Sequence, residues 1–245
     1  MPSRIISLDL PSQAMNPNIT GTIRLIGEAL KAQFAPKRPN LEERIRAKLG
    51  VTGVVALTGP PLAGKGTISG MLAEVTGFDI ISSGEILRRI AASESADSEI
   101  RSVLARGDLI SDTEMYRIIS AELSALRAEN GRVFDGFPRT VNQARWLVTF
   151  LQRQSRKLTC VIELHAGSDY LLERMYRRGA QEQSDDTVAA LRRRLEIYTE
   201  QSGHLNEYWN AAGQQVITID TECPREVGIE RVKRAIDSTL SSAAI

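Results

Sequence analysis

The chain has 245 residues, 42% hydrophobic and 25% charged, the balance of a globular domain of ordinary size with an appendage. The formal net charge is +1, so bulk charge argues neither for nor against nucleic acid, and anion binding must rest on local arginines. Two cysteines, Cys160 and Cys223, lie far apart without a C-x-x-C pair, which excludes a zinc ribbon and gives no sign of a disulfide framework.

Residues 1–20 carry Pro2, Pro11 and Pro17 with little periodicity and read as extended or disordered. Residues 21–34 place Ile23, Ile26, Leu30 and Phe34 at helical spacing and predict an amphipathic helix. Pro36 and Pro39 end it, and a short helix capped by Asn40 follows over 40–49. The expected division is an extension over 1–50 and a domain over 51–245. From residue 53 strand and helix alternate. Strands are predicted at 53–58, 78–82, 132–136, 158–164 and 215–220. Helices are predicted at 64–76, 84–92, 98–106, 112–130, 140–154, 168–178, 186–210 and 224–240. Apolar strands with helices between them imply an α/β fold, a parallel sheet covered on both faces.

The first strand runs into LTGPPLAGKGT, residues 57–67. Gly59 to Lys65 has the spacing G-x-x-x-x-G-K between a strand and a helix, the context of a phosphate-binding loop. Backbone N–H groups there can face phosphate oxygens, Lys65 adds charge, and Thr67 offers a hydroxyl to a magnesium ion. VFDGFPRT, residues 133–140, puts Asp135 at a strand's C-terminal end, where a carboxylate serves magnesium directly or through water. Arg88, Arg139, the pair Arg174 and Arg178, and Arg194 come from four separate helices or loops. Guanidinium forks match phosphate oxygens, and phosphoryl transfer is mostly positioning and charge neutralisation.

GPPLAGKGT, ISSGEILRR, GDLISD, VFDGFPRTVNQA, VIELHAGSDYLLERMYRRG and DDTVAALRRRLEIYTEQSGHLNEYW resemble, in order, the motifs of adenylate kinases. The resemblance spans about residues 53–240, and DGFPRT-x-x-Q with the G-K-G-T loop is its most specific part. It implies a phosphate-loop NTPase fold with a five-stranded parallel core, a helical monophosphate-binding insert over 83–111 and a short, zinc-free lid over 178–186. It implies magnesium-dependent, reversible transfer from ATP to AMP to give two ADP. By motif, Gly59, Gly64, Lys65, Gly66 and Thr67 hold the ATP phosphates and Arg174 packs on the ATP base. Ser83, Gly84, Leu109, Ile110 and Gly136 surround AMP, Arg88 and Arg139 bind its phosphate, and Gln143 meets its adenine edge. Lys65, Arg139, Arg178 and Arg194 neutralise the moving phosphoryl group, and Asp135 organises magnesium-bound water. Ser83 and Thr140 stand where relatives that prefer UMP and CMP carry Ala and Asn.

The chain departs from the family pattern at Leu62, usually Gly; at Gln183, usually Arg; and at Glu85, usually Asp. Asp185 and Asp186 match the paired lid aspartates. Leu62, Gln183 and the extension keep open a nucleotide-binding regulatory or interaction module with weak or no catalysis. A kinase for another monophosphate is the third reading. His165 and His204 are read as non-catalytic, and Cys160 as a buried thiol. ATP and AMP are the expected partners, without nucleic acid. The helix over 21–34 offers its apolar face for docking on the domain, self-association or a partner. No apolar run reaches a membrane span and no secretory signal is read, so a cytoplasmic setting is expected. Arg4 and the scarcity of acids weakly resemble an organelle transit segment, and Asp9 weighs against it.

Overall fold

A computed structural model describes residues 39–93, 98–178 and 187–240. Pro39 apart, these belong to one compact unit, Asn40–Ile245. The amphipathic helix expected over 21–34 and the lid residues Gly179, Gln183, Asp185 and Asp186 lie outside the described residues, as does the side chain of Arg178.

The sheet holds β1 (Val54–Thr58), β2 (Asp79–Ser82), β3 (Arg132–Asp135), β4 (Cys160–His165) and β5 (Val216–Asp220). Their order is β2-β3-β1-β4-β5, and every pairing is parallel. β1 shows why the strands must be central. Val54 and Ala56 enter one core and Val55 and Leu57 the other, so both faces of VVALT are buried. The first core joins Ile81, Phe134, Phe137, Leu147 and Trp209; the second joins Leu57, Leu72, Ile162 and Val232.

The helices are α1 (Leu41–Leu49), α2 (Lys65–Thr76), α3 (Ser83–Ala92), α4 (Ser98–Arg106), α5 (Asp112–Ser124), α6 (Val141–Arg153), α7 (Ser168–Arg178), α8 (Val188–Ala211) and α9 (Arg225–Thr239). α1 starts from a capping box: the Asn40 side chain accepts from the Glu43 N–H, and the Glu43 carboxylate accepts from the Asn40 N–H at 2.7 Å. Its Ile45 and Leu49 are buried in the second core beside α2 and α9. Residues 40–49 therefore pack with α2 and α9, on the domain side of the boundary expected at residue 50. α5 stops at Ser124 and not near residue 130. Beyond it the Arg156 guanidinium donates to the carbonyls of Ala128 and Asn130, at 3.1 and 2.6 Å, which fixes these residues as a turn.

The chain leaves β1 for β2 across the position later filled by β3, then crosses to β4 on the other side. The carboxyl end of β1 is thus the reversal point where open α/β sheets bind ligands.

Candidate active site

β1 delivers the chain to Gly59, whose φ is +139°. A Cβ there would sit 2.7 Å from the Leu164 carbonyl oxygen, so only glycine fits where the loop crosses β4. Leu62 adopts φ +64°, the left-handed region its replacement of glycine raised, and packs partly against the second core. α2 begins at Lys65 with Gly64 as its N-cap and no side-chain cap, so its first amides face outward as an anion seat. Lys65 Nζ donates to the carbonyls of Gly59 at 2.9 Å and Pro60 at 2.7 Å, folded back across the loop. Burial lowers its pKa to about 8, against the opposing pull of Asp135, with Arg139 pushing the same way as burial.

β3 ends at Asp135, a nearly buried carboxylate 3.5 Å from Ser69 Oγ. The chain then turns through Gly136 and the cis Phe137–Pro138 bond to Arg139. Arg139 Nε donates to the Gly136 carbonyl at 2.9 Å. A Cβ built on Gly136 would lie 3.2 Å from Ser83 Oγ, 3.3 Å from Arg139 Nη2 and 3.8 Å from Lys65 Cε, so these residues converge on one point. Burial, then the nearby Arg194, and also Arg88 hold the Arg139 guanidinium below its ordinary pKa. Crowded cations of this kind are a seat awaiting anionic charge.

One cavity of about 980 Å³ joins these parts. Gly59, Gly64, Lys65, Gly66 and Thr67 line it, and so do Gly84, Arg88, Leu109, Ile110, Gly136 and Gln143. Asp135, Arg139 and Arg194 border it as well. Arg174 comes from α7, its Nη1 3.6 Å from where a Cβ on Gly64 would lie and its Cζ 5.8 Å from the Tyr170 ring centroid. Arg194 Nη2 donates to the Leu104 carbonyl at 3.3 Å. Ser83 does not line the cavity. It is 1% exposed, and its hydroxyl donates to the Gly136 carbonyl at 2.8 Å. Neither histidine lines the cavity, and burial lifts the Cys160 thiol to about 12.

Sequence reasoning passed over Asp112. Its Oδ1 accepts from Gln143 Nε2 at 2.8 Å and from Thr140 Oγ1 at 3.0 Å. An Asp directly after an N-capping Ser111 reads as an ordinary helix start, which hides this second duty. Tyr170 and Glu173 of α7 and Cys223 also line the cavity without having been singled out for it.

The sequence model of the family described as adenylate kinase matches residues 57–214. The chain belongs to the adenylate kinase family. It is 38% identical over 166 residues to an adenylate kinase of Brucella anthropi, covering 64% of this chain and 86% of that one. It is 35% identical to adenylate kinases of Bartonella tribocorum, covering 76% of this chain and 99% of that one, and of a Caulobacter species, covering 77% and 98%. As a member the chain is a nucleoside monophosphate kinase, a phosphotransferase, and the cavity supplies what such an enzyme requires. The helix N-terminus at Lys65 and the side chains of Arg88, Arg139, Gln143 and Arg194 line the same cavity.

Proposed function

We propose that the chain transfers the γ-phosphoryl group of ATP to AMP, giving two ADP. The observation that carries this is the convergence of Lys65, Arg88, Arg139 and Arg194 on a single cavity that the phosphate loop also lines. Transfer between two bound phosphates needs positioning and cationic charge rather than a covalent nucleophile. The phosphate loop and the start of α2 hold the donor phosphates, with Arg174 beside them. Arg88 and Arg139 hold the acceptor phosphate, and Gln143, Leu109 and Ile110 receive its base. With phosphate bound, the Lys65 ammonium exchanges the Gly59 and Pro60 carbonyls for phosphate oxygens. A binding module without catalysis would not need arginines from three further elements lining the same cavity.

The site also fits magnesium. Asp135 and Thr67 bring hard oxygen donors to the cavity beside the loop. No group of three or more metal-binding side chains occurs among the described residues, so the ion's remaining positions would be phosphate oxygens and water. When bound, the ion would neutralise charge on the nucleotide phosphates. Thr67 would hold it by its hydroxyl, and Asp135 would hold its water.

The test is ADP formation by the intact chain with ATP, magnesium and AMP, UMP or CMP in turn. AMP is expected to be the preferred acceptor. Turnover no faster than that of Lys65→Ala would defeat the reading.

A further inference from the structure

We infer that Asp112 is a positioning residue that fixes which way the Gln143 amide faces and so selects 6-amino over 6-oxo purine monophosphates. The inference rests on the reading that AMP is the acceptor and its base lies against Gln143.

An amide side chain has an accepting end and a donating end of nearly the same shape, and turning it over exchanges them. Gln143 is 1% exposed, so neither end can turn to bulk water. Its Oε1 accepts from the backbone N–H of Arg139 at 2.8 Å. Its Nε2 donates to Asp112 Oδ1 at 2.8 Å. A backbone N–H only donates and a carboxylate only accepts, so each contact forbids the reversed amide. Reversal would set donor against donor and acceptor against acceptor in a buried place. Asp112 is itself held: Thr140 Oγ1 donates to the same Oδ1 at 3.0 Å while accepting the Gln143 N–H at 3.1 Å.

The amide retains one N–H and one lone pair beyond these contacts. Adenine presents an N6 donor beside the N1 acceptor. A 6-oxo purine presents an O6 acceptor beside an N1 donor, the opposite polarity. An amide free to turn serves both bases; a locked one serves one of them. The Arg139 N–H supplies half of the lock and lies on the backbone, where substitution does not remove it. Asp112 supplies the other half.

The experiment compares kcat/KM for AMP and for inosine monophosphate, with ATP and magnesium, in the intact chain and in Asp112→Leu, Asp112→Ser and Asp112→Asn. Leu removes the acceptor, Ser shortens the side chain out of reach, and Asn keeps one accepting oxygen. The wild-type chain is expected to prefer AMP by two orders of magnitude or more. In Asp112→Leu and Asp112→Ser the preference is expected to fall about tenfold or more, through KM for the monophosphate, with KM for ATP changing less than about twofold. Asp112→Asn is expected to restore most of it. Melting curves identify any variant that has lost the fold, and the ratio is read on the one that has not. A ratio unchanged in a folded Leu or Ser variant, with both substrates slowed alike, overturns the inference and leaves AMP kinase activity standing. A wild-type chain that does not turn over AMP overturns the functional reading instead, and this inference with it.

Discussion

Arg193 on α8 pairs with Asp108 at the end of the helical insert, Nε to Oδ1 at 2.9 Å, while the other carboxylate oxygen takes Arg106 Nε at 2.9 Å. Next to it, Gly107 runs so close to α8 that a Cβ would collide with the Ala190 carbonyl. The acceptor seat draws on both partners of this contact, Leu109 and Ile110 from the insert and Arg194 from α8.

The pair therefore favours the docked insert, and weakening it should weaken AMP more than ATP. The side chains are 46% and 30% exposed, so the pair is weak and is screened by salt. Arg193→Ala is expected to raise KM for AMP about two- to fivefold, with less salt dependence than wild type. Arg193 and Arg106 hold the Asp108 carboxyl below its ordinary range. Its contribution is thus present at neutral pH and is lost only as pH falls below the usual carboxylate value. Steady-state kinetics at two salt concentrations check the first part, and a pH series from 7 to 4 the second.

The Lys65 pKa is lowered too, but here by burial of the charged form rather than by a partner that stabilises it. Below about 8 the ammonium is charged in both folded and unfolded chains, and the folded state carries the cost of its burial. Between about 8 and its ordinary 10.5 the folded chain sheds the proton first, so the unfolded state binds more protons and stability rises with pH. Lys65→Met should remove this rise and stabilise the ligand-free chain at pH 7 by on the order of 2 kcal/mol, while slowing turnover about 100- to 1,000-fold. ATP binding near pH 8.5 should be accompanied by proton uptake at Lys65, whose ammonium form the phosphates favour. Calorimetric titration in buffers of different ionisation heat measures it, and no difference between buffers would contradict the assignment.

The parts legible in the sequence are those carried by neighbours in the chain. The loop from Gly59 to Thr67 is one strand, one turn and one helix start, so spacing alone locates it. β1 reads correctly because Val54 to Leu57 are all apolar, as a strand buried on both faces requires, with Thr58 at its partly buried end. What escaped depends on contacts across the fold. Asp112 and Gln143 are 31 residues apart, and nothing local distinguishes this Asp from a helix cap. Ser83 stands at the expected place in its motif, yet its hydroxyl is committed to the Gly136 backbone beneath the cavity. The end of α5 could not be read either, because the carbonyls beyond it answer to Arg156, a residue from a later loop.

Leu62 already occupies the left-handed conformation, at φ +64°. That costs about 1–2 kcal/mol relative to an unstrained leucine, offset in part by its contacts with the second core. Since the loop has its shape with Leu in place, Leu62→Gly should change the barrier to turnover by less than ~1 kcal/mol, a factor of about five. Its stability should also stay within ~1 kcal/mol, as relief of strain offsets lost packing and added chain entropy. Leu62→Val should be the damaging change, because a β-branched side chain resists positive φ. Paired melting curves and kcat values decide. A Gly variant tens of times faster than wild type would show that Leu62 throttles the enzyme.

Truncation at the N-terminus should be tolerated up to residue 39 and no further. α1 buries Ile45 and Leu49 completely or nearly so. Arg44 and Lys48 both pair with Asp237 on α9, Arg44 Nη2 at 2.7 Å and Lys48 Nζ at 3.1 Å. These cations depress the Asp237 carboxyl to about 2, Arg44 first and then Lys48. Their support is present above the ordinary carboxylate pKa and lost as pH falls toward 2. Burial of the two apolar side chains alone is worth about 3–6 kcal/mol, a large share of a domain's total stability. A chain starting at Asn40 is therefore expected to unfold cooperatively in urea. A chain starting at Gly50 should lose about that much stability, exposing the faces of α2 and α9 that α1 covers and aggregating. Equal urea midpoints for the two truncations would show that α1 is an ornament of the fold rather than a part of its second core.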